Sequence, residues 1–141
     1  MSTTRAAPTL HPMLCYRDGE AAIEWLVRAF GFTERMRVPD DDGGGIAHAE
    51  LDLGDGTLMI GSYRDERFGV RPASELEGVS GGVYVAVDAI DEHYERAKSA
   101  GAEIVIELHD TGYGSRDYCA RDPEGQLWCF GTYRPGDDET A

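Results

Sequence analysis

An internal repeat constrains this sequence more than any single motif does. Between residues 10 and 133 the order strand, helix, strand, strand, strand is read twice. In the first copy, Leu10–Tyr16 is a short apolar run, with Pro12 near its start as at a strand beginning or a sheet edge. Asp18 stands at the cap position of a helix. Ala22, Trp25, Leu26, Ala29 and Phe30 follow at three- and four-residue steps and make one apolar stripe. Gly31 ends the helix, thirteen residues after Asp18. Phe32–Val38 reads as a strand. Asp40-Asp41-Asp42-Gly43-Gly44-Gly45 reads as an exposed turn without the spacing of a calcium loop. Ile46–Leu53 alternates, Gly54-Asp55-Gly56 turns the chain, and Thr57–Ser62 returns as a hairpin partner.

The second copy repeats this order. Gly82–Val87 is a strand, Asp88 takes the place of Asp18, and Ile90, Tyr94 and Ala97 build the next stripe. Gly101 follows Asp88 by thirteen residues. Ala102–Leu108, Ser115–Arg121 and Gln126–Tyr133 complete the set, with turns at Thr111–Gly114 and Asp122–Gly125. Each copy offers a sheet covered by a helix on one face, so its other face must be covered or enclose a ligand. The expected fold class is α+β: two tandem βαβββ modules in a single domain over residues 1–141, forming a curved, barrel-like sheet around a pocket. Module one spans about 9–63, a connector with one short helical turn spans 64–80, module two spans about 81–134, and an expected disordered acidic tail covers 135–141.

With 13 basic and 27 acidic side chains the formal charge is −14, which repels phosphate backbones and anionic lipid. Neither nucleic acid nor membrane is therefore an expected partner, and no apolar run approaches a bilayer span. The first residues, MSTTRAAPTLHP, lack the apolar core of a secretory signal, so a cytoplasmic protein is expected. Cysteines at 15, 119 and 129 are odd in number and lack CxxC spacing, which argues for buried thiols rather than a disulfide framework.

The segments HPMLCYRDGEAAIEWLVRAFGF (11–32), IAHAELDLGDGTLMIG (46–61), VYVAVDAIDEHYERAKSAGAE (83–103) and YGSRDYCARDPEGQLWCFGTY (113–133) resemble the vicinal-oxygen-chelate superfamily, which includes glyoxalase I, extradiol dioxygenases and bleomycin-binding proteins. The run DPEGQLW is the most specific piece. The resemblance implies the two-module fold and, in metal-using members, four ligand positions on the first and last strands of the modules. Carried onto this chain they fall on His11, Met59, Gly81 or Gly82, and Cys129. One hard ligand in four does not hold Mg²⁺, Mn²⁺ or Fe²⁺ in an open octahedral site, so neither metal nor cofactor is expected. A soft site of His11, Met59 and Cys129 in the same cavity is the variant of that reading.

The expected ligand-binding residues are His11, Met13, His48, Glu50, Met59, Tyr63, Tyr113, Arg116, Trp128 and Cys129. His11 is either a strand-end imidazole or a pocket base. His48 and Glu50 share one strand face and pair as a base and its orienter, or face solvent. Arg116 offers a fork of donors to an anionic group, or pairs with surface acid. Tyr63, Tyr113 and Trp128 are flat walls for a planar ligand, or core and interface residues. Trp25 and Tyr94 fit the helix stripes and belong to the core. No residue is singled out as catalytic. The function expected is binding of a hydrophobic or aromatic small molecule, such as an antibiotic or natural product, in a metal-free cavity. The alternative is a lyase, isomerase or dioxygenase-type enzyme using His11, His48 or Glu50, with or without a divalent metal. A homodimer is expected, since a curled βαβββ sheet leaves an edge and a face unprotected.

Overall fold

The computed structural model describes residues 8–41, 45–61 and 66–136; Tyr63, the tip of the acidic turn and the end of the tail lie outside them. Helix α1 (Gly19–Phe30) forms where the stripe places it. The Asp18 carboxylate accepts from the Ala21 amide at 3.0 Å, satisfying one of the free N–H groups at the helix start. Gly31, at φ 88°, lets the chain leave in the left-handed conformation. Strands β1 (Met13–Cys15), β2 (Thr33–Pro39), β3 (Ile46–Leu53) and β4 (Gly56–Gly61) form a sheet in the order β1-β4-β3-β2. Only the β1–β4 pairing is parallel. The first strand is shorter than the apolar run Leu10–Tyr16. Pro12 has no N–H to give, and only its carbonyl joins the ladder, accepting from the Met59 amide at 3.0 Å.

The second module contains β5 (Val83–Ala86), α2 (Ile90–Ser99), β6 (Glu103–Asp110), β7 (Arg116–Arg121) and β8 (Leu127–Gly131), with sheet order β5-β8-β7-β6. The topology of module one is thus reproduced, but the expected match of Asp88 to Asp18 is not. The residue capping α2 is Ala89, which has no side-chain bond to offer. Asp88 instead pairs with Arg134 at 3.3 Å. Between the modules the connector holds two short 3₁₀ turns, Glu66–Phe68 and Ala73–Glu75, where one was expected. No described helix is long and apolar enough to cross a membrane.

The helices lie on one face of each sheet and against each other, and one hydrophobic cluster runs through both modules. Phe30, at the end of α1, is its hinge point: its ring lies 4.7 Å from Phe130 and 5.4 Å from Trp128, both on β8. A polar seam runs along the same junction. The buried Asp122 carboxylate accepts from the Tyr16 hydroxyl (2.5 Å), the Trp128 indole (3.0 Å) and the amides of Glu124 and Gln126. Burial pushes the Asp122 carboxyl up, and these donors pull it back down. Glu124 of the same DPEG turn accepts from the amides of Arg17 and Asp18 at 2.7 and 2.9 Å, just ahead of α1. At the other end, Arg96 of α2 donates to the carbonyls of Arg28 and Val27, and the Trp25 indole donates to Ala100. The two sheets do not close on each other within the chain: each keeps one open, helix-free face.

Candidate functional site

Strand alternation decides what reaches the open faces. On β3, Ala49 and Leu51 are fully buried beneath α1, so His48, Glu50 and Asp52 point the other way. Register aligns Met13, Met59, Glu50 and Met36 in one row across the sheet, with Cys15, Gly61, His48 and Val38 in the next. The His48 Nε2 lies 2.9 Å from a Glu50 carboxylate oxygen, both side chains half-buried. Beside this row is a cavity of about 460 Å³ lined by His11, Arg35, Glu50, Asp52, Thr57 and Met59, among others. Within it Arg35 donates to both oxygens of Asp52 at 3.1 and 3.0 Å, and the Thr57 hydroxyl donates to the same carboxylate at 2.8 Å. The His11 ring sits between the Thr57 carbonyl (3.1 Å) and the Pro8 carbonyl (2.8 Å). Both neighbours are acceptors, so a neutral ring can donate to only one of them.

Module two presents a different wall. Val83 and Val85 pack on the core, so Tyr84 turns to the open face, in register with Cys129, Cys119 and Ile106. Gly131, two residues beyond Cys129, has no side chain, and a methyl there would collide with the Asp117 carboxylate and the Tyr84 hydroxyl. Asp117 accepts from the Ser115 hydroxyl at 2.5 Å and from the Tyr113 hydroxyl at 3.4 Å, while Tyr84 donates to the Tyr133 carbonyl at 2.6 Å. Tyr113 is 70 % exposed, edge-on to Tyr133 at 6.2 Å.

Five of the expected residues, His11, Met13, His48, Glu50 and Met59, are therefore brought to one side of module one. Cys129 and Tyr113 stand on module two, outside the module-one cavity. Two expectations need correction. Trp128 is fully buried on the helix-packed face, its indole held by Asp122, because it shares the parity of Phe130. Arg116 shares the parity of Tyr118 and Ala120, so it turns toward the helix side and pairs with Asp91 (2.9 Å) and Asp110 (3.2 Å). Besides the apolar Met36, Tyr84 and Ile106, the open faces carry polar and thiol residues that the expected ligand-binding set leaves out. Asp52, Asp117 and Cys119 follow from alternation alone. Arg35 does not, because the register slips between Glu34 and Met36 and a bulge re-aims it.

The donor set does not fit the divalent ion of metal-using relatives. The four positions that the resemblance implies hold an imidazole flanked by two carbonyls, a thioether, a glycine and a thiol. Among the described residues no group of three or more His, Cys, Asp or Glu side chains could hold a metal ion. The soft set of His11, Met59 and Cys129 is split between the two sheets.

Comparison with known proteins agrees with this architecture. An uncharacterized protein of Mycobacterium tuberculosis (strain H37Rv) is 34 % identical over 127 residues, covering 88 % of this chain and 74 % of its own. The crystal structure of TioX from Micromonospora sp. ML1 superposes with a TM-score of 0.70 at 38 % identity, over 89 % of this chain and 98 % of that one. TnmS3, an antibiotic binding protein from Streptomyces sp. CB03234, shares the fold at 17 % identity and a TM-score of 0.66, over 92 % and 96 % of the two chains. The family model matches residues 9–130, nearly the whole two-module repeat, and the chain belongs to the glyoxalase/bleomycin resistance protein/dioxygenase superfamily.

Proposed function

We propose that this protein binds a hydrophobic or aromatic small molecule of the antibiotic or natural-product kind, without metal chemistry, as a cytoplasmic homodimer. The observation that carries the reading is the pair of incomplete walls. Met13 and Met36 on one open face, and Tyr84 and Ile106 on the other, are each 36–48 % exposed in the single chain. Apolar side chains aligned in rows on two uncovered faces mark a surface made to be covered. The junction with α1 and α2 already occupies the opposite faces, so a second copy is what can bring a module-one wall against a module-two wall. Flexible methionines opposite a tyrosine wall make a cavity that grips flat apolar ligands with few fixed polar contacts. TnmS3 shows that this fold serves antibiotic binding in another protein.

A second reading rests on one contact. The 2.9 Å approach of His48 to Glu50 is the geometry of a base held by its orienter, and it opens on the same face. Acid–base catalysis by this pair would give the fold an isomerase or lyase activity. One experiment separates the readings. Light scattering should give twice the chain mass, and an aromatic natural-product panel should contain compounds that raise the melting temperature and are recovered unchanged. Tyr84→Ala should weaken that binding at least tenfold, while Glu50→Gln should leave the compounds intact as before. A monomer mass refutes the shared cavity, and turnover lost in Glu50→Gln replaces binding with catalysis.

A further inference from the structure

The two cysteines of module two stand opposite each other. Cys119 on β7 and Cys129 on β8 are direct register partners across an antiparallel pair, on the open face rather than in the core. The hydrogen-bonding phase of this ladder is fixed from both ends. The Thr132 amide donates to the Arg116 carbonyl at 3.2 Å, and the Asp122 amide donates to the Gln126 carbonyl at 3.1 Å. Pairs 116/132 and 122/126 are thus hydrogen-bonded. Alternation along an unshifted register makes 118/130 and 120/128 hydrogen-bonded too, and leaves 117/131, 119/129 and 121/127 as the non-hydrogen-bonded pairs. In such pairs the Cα atoms are only about 4.5 Å apart and the side chains lean together. That separation falls within the range of about 4.4–6.8 Å that a disulfide spans without moving the backbone. The third cysteine has no such geometry, since the residue opposite Cys15 is Gly61.

We propose that Cys119 and Cys129 are a redox-active dithiol on the wall of module two, closed to a disulfide by a hydroperoxide. The Cys129 thiolate attacks the distal oxygen of the peroxide. The O–O bond breaks, the alkoxide or hydroxide leaves and takes up a proton, and Cys129 becomes a sulfenic acid. The Cys119 sulfur then attacks the Cys129 sulfur, the S–O bond breaks, and the departing hydroxide takes the Cys119 proton to form water. Two thiols lose two electrons and two protons, and the peroxide is reduced to an alcohol, or water, plus water. Burial, and then the adjoining Cys129 thiol, push the Cys119 thiol up; the two sulfurs face each other, so the overall balance is the same whichever of them meets the oxidant first. Both thiols are only partly buried, so a small peroxide reaches them from the open face. The bridge would stiffen the β7–β8 hairpin beside Tyr84.

This inference does not depend on the ligand reading, and its test uses no ligand. The full chain is treated with hydrogen peroxide, unfolded, and its free thiols counted. The three thiols should fall to one, with a mass loss of about 2 Da and a Cys119–Cys129 cross-linked peptide that dithiothreitol reverses. Cys15→Ser should still lose both of its remaining thiols. Cys129→Ser, or Cys119→Ser should the first fail to fold, should form no intrachain bridge. Three thiols surviving, stable addition of oxygen to Cys129, or a bridge between chains in place of the intrachain one would overturn the proposal.

Discussion

Helix α1 buries six side chains, among them Trp25, Leu26 and Phe30, whereas α2 buries only Ile90 and Ala97. The strands reverse this imbalance. Tyr118, Ala120, Trp128 and Phe130 on β7 and β8 are fully buried, and they meet the end of α1 as well as α2. The polar contacts lean toward module two, although the Trp25 indole and the Tyr16 hydroxyl of module one donate the other way, to Ala100 and Asp122. Asp122, Glu124, His93 and Arg96 all belong to module two and all reach into module one. Repeated topology therefore does not mean repeated energetics: module one supplies the helix that fills the shared core, and module two supplies the aromatic floor and the groups that tie the halves together. Neither half buries a complete core alone.

The largest test of this division is Phe30→Ala. The ring has no exposed surface and touches Trp25, His93, Trp128 and Phe130. Its removal should cost about 3–5 kcal/mol in urea unfolding, the range for a buried Phe truncated to Ala. Tyr94→Ala, on the partly exposed face of α2, should cost about 1 kcal/mol. Equal losses would mean that the two helices contribute alike and that the asymmetry is only geometric.

A smaller effect separates the helix starts. Asp18 caps α1 with its side chain, while Ala89 leaves the first turn of α2 without a side-chain acceptor. Asp18→Ala should destabilise by about 1 kcal/mol, and Ala89→Asp should stabilise by about 0.5–1 kcal/mol. A neutral Ala89→Asp would show that the start of α2 gains nothing from the cap it lacks.

These differences also mark how far the sequence can be read. The element order was legible because apolar spacing at 3.6 and 2.0 residues survives even where identity between the copies is low. Burial of Trp25 followed from its stripe. Trp128 and Arg116 were misassigned because strand ends were weighed by residue chemistry rather than by parity; counting from the buried Tyr118 would have placed both. Asp88 misled because a thirteen-residue spacing to glycine can be met by a residue beside the cap as well as by the cap itself. Arg35 was beyond reach, since its bulge is set by how Glu34 and Met36 pair with Leu51 and Glu50 of the next strand. The Cys119–Cys129 pairing needed the hairpin register, which the DPEG turn supplies only once its hydrogen bonds are known.

The finest probe of the seam is His93, which joins α2 of module two to the last carbonyl of α1. Its Nε2–H donates to the Phe30 carbonyl at 3.0 Å, and its Nδ1 lies 2.6 Å from the Tyr118 hydroxyl, which can donate to it when the ring is neutral. Burial pulls its pKa below the ordinary 6.5; the Phe30 carbonyl opposes this, and the nearby Arg96 cation adds to it. In the unfolded chain the ring takes its proton near pH 6.5, and in the folded chain only at lower pH. Between those values the unfolded state binds more protons, so stability rises with pH there. The contribution is complete above about pH 6.5 and is lost as the pH falls through the lower, folded value. His93→Gln keeps a donor and an acceptor without titrating. Melting temperatures of the two proteins, compared between about pH 7.5 and 5.5, should converge on acidification as the wild type loses its advantage. Parallel curves would show that the ring titrates alike in both states, and that His93 joins the modules through packing on Phe30 and Phe130 rather than through its protonation state.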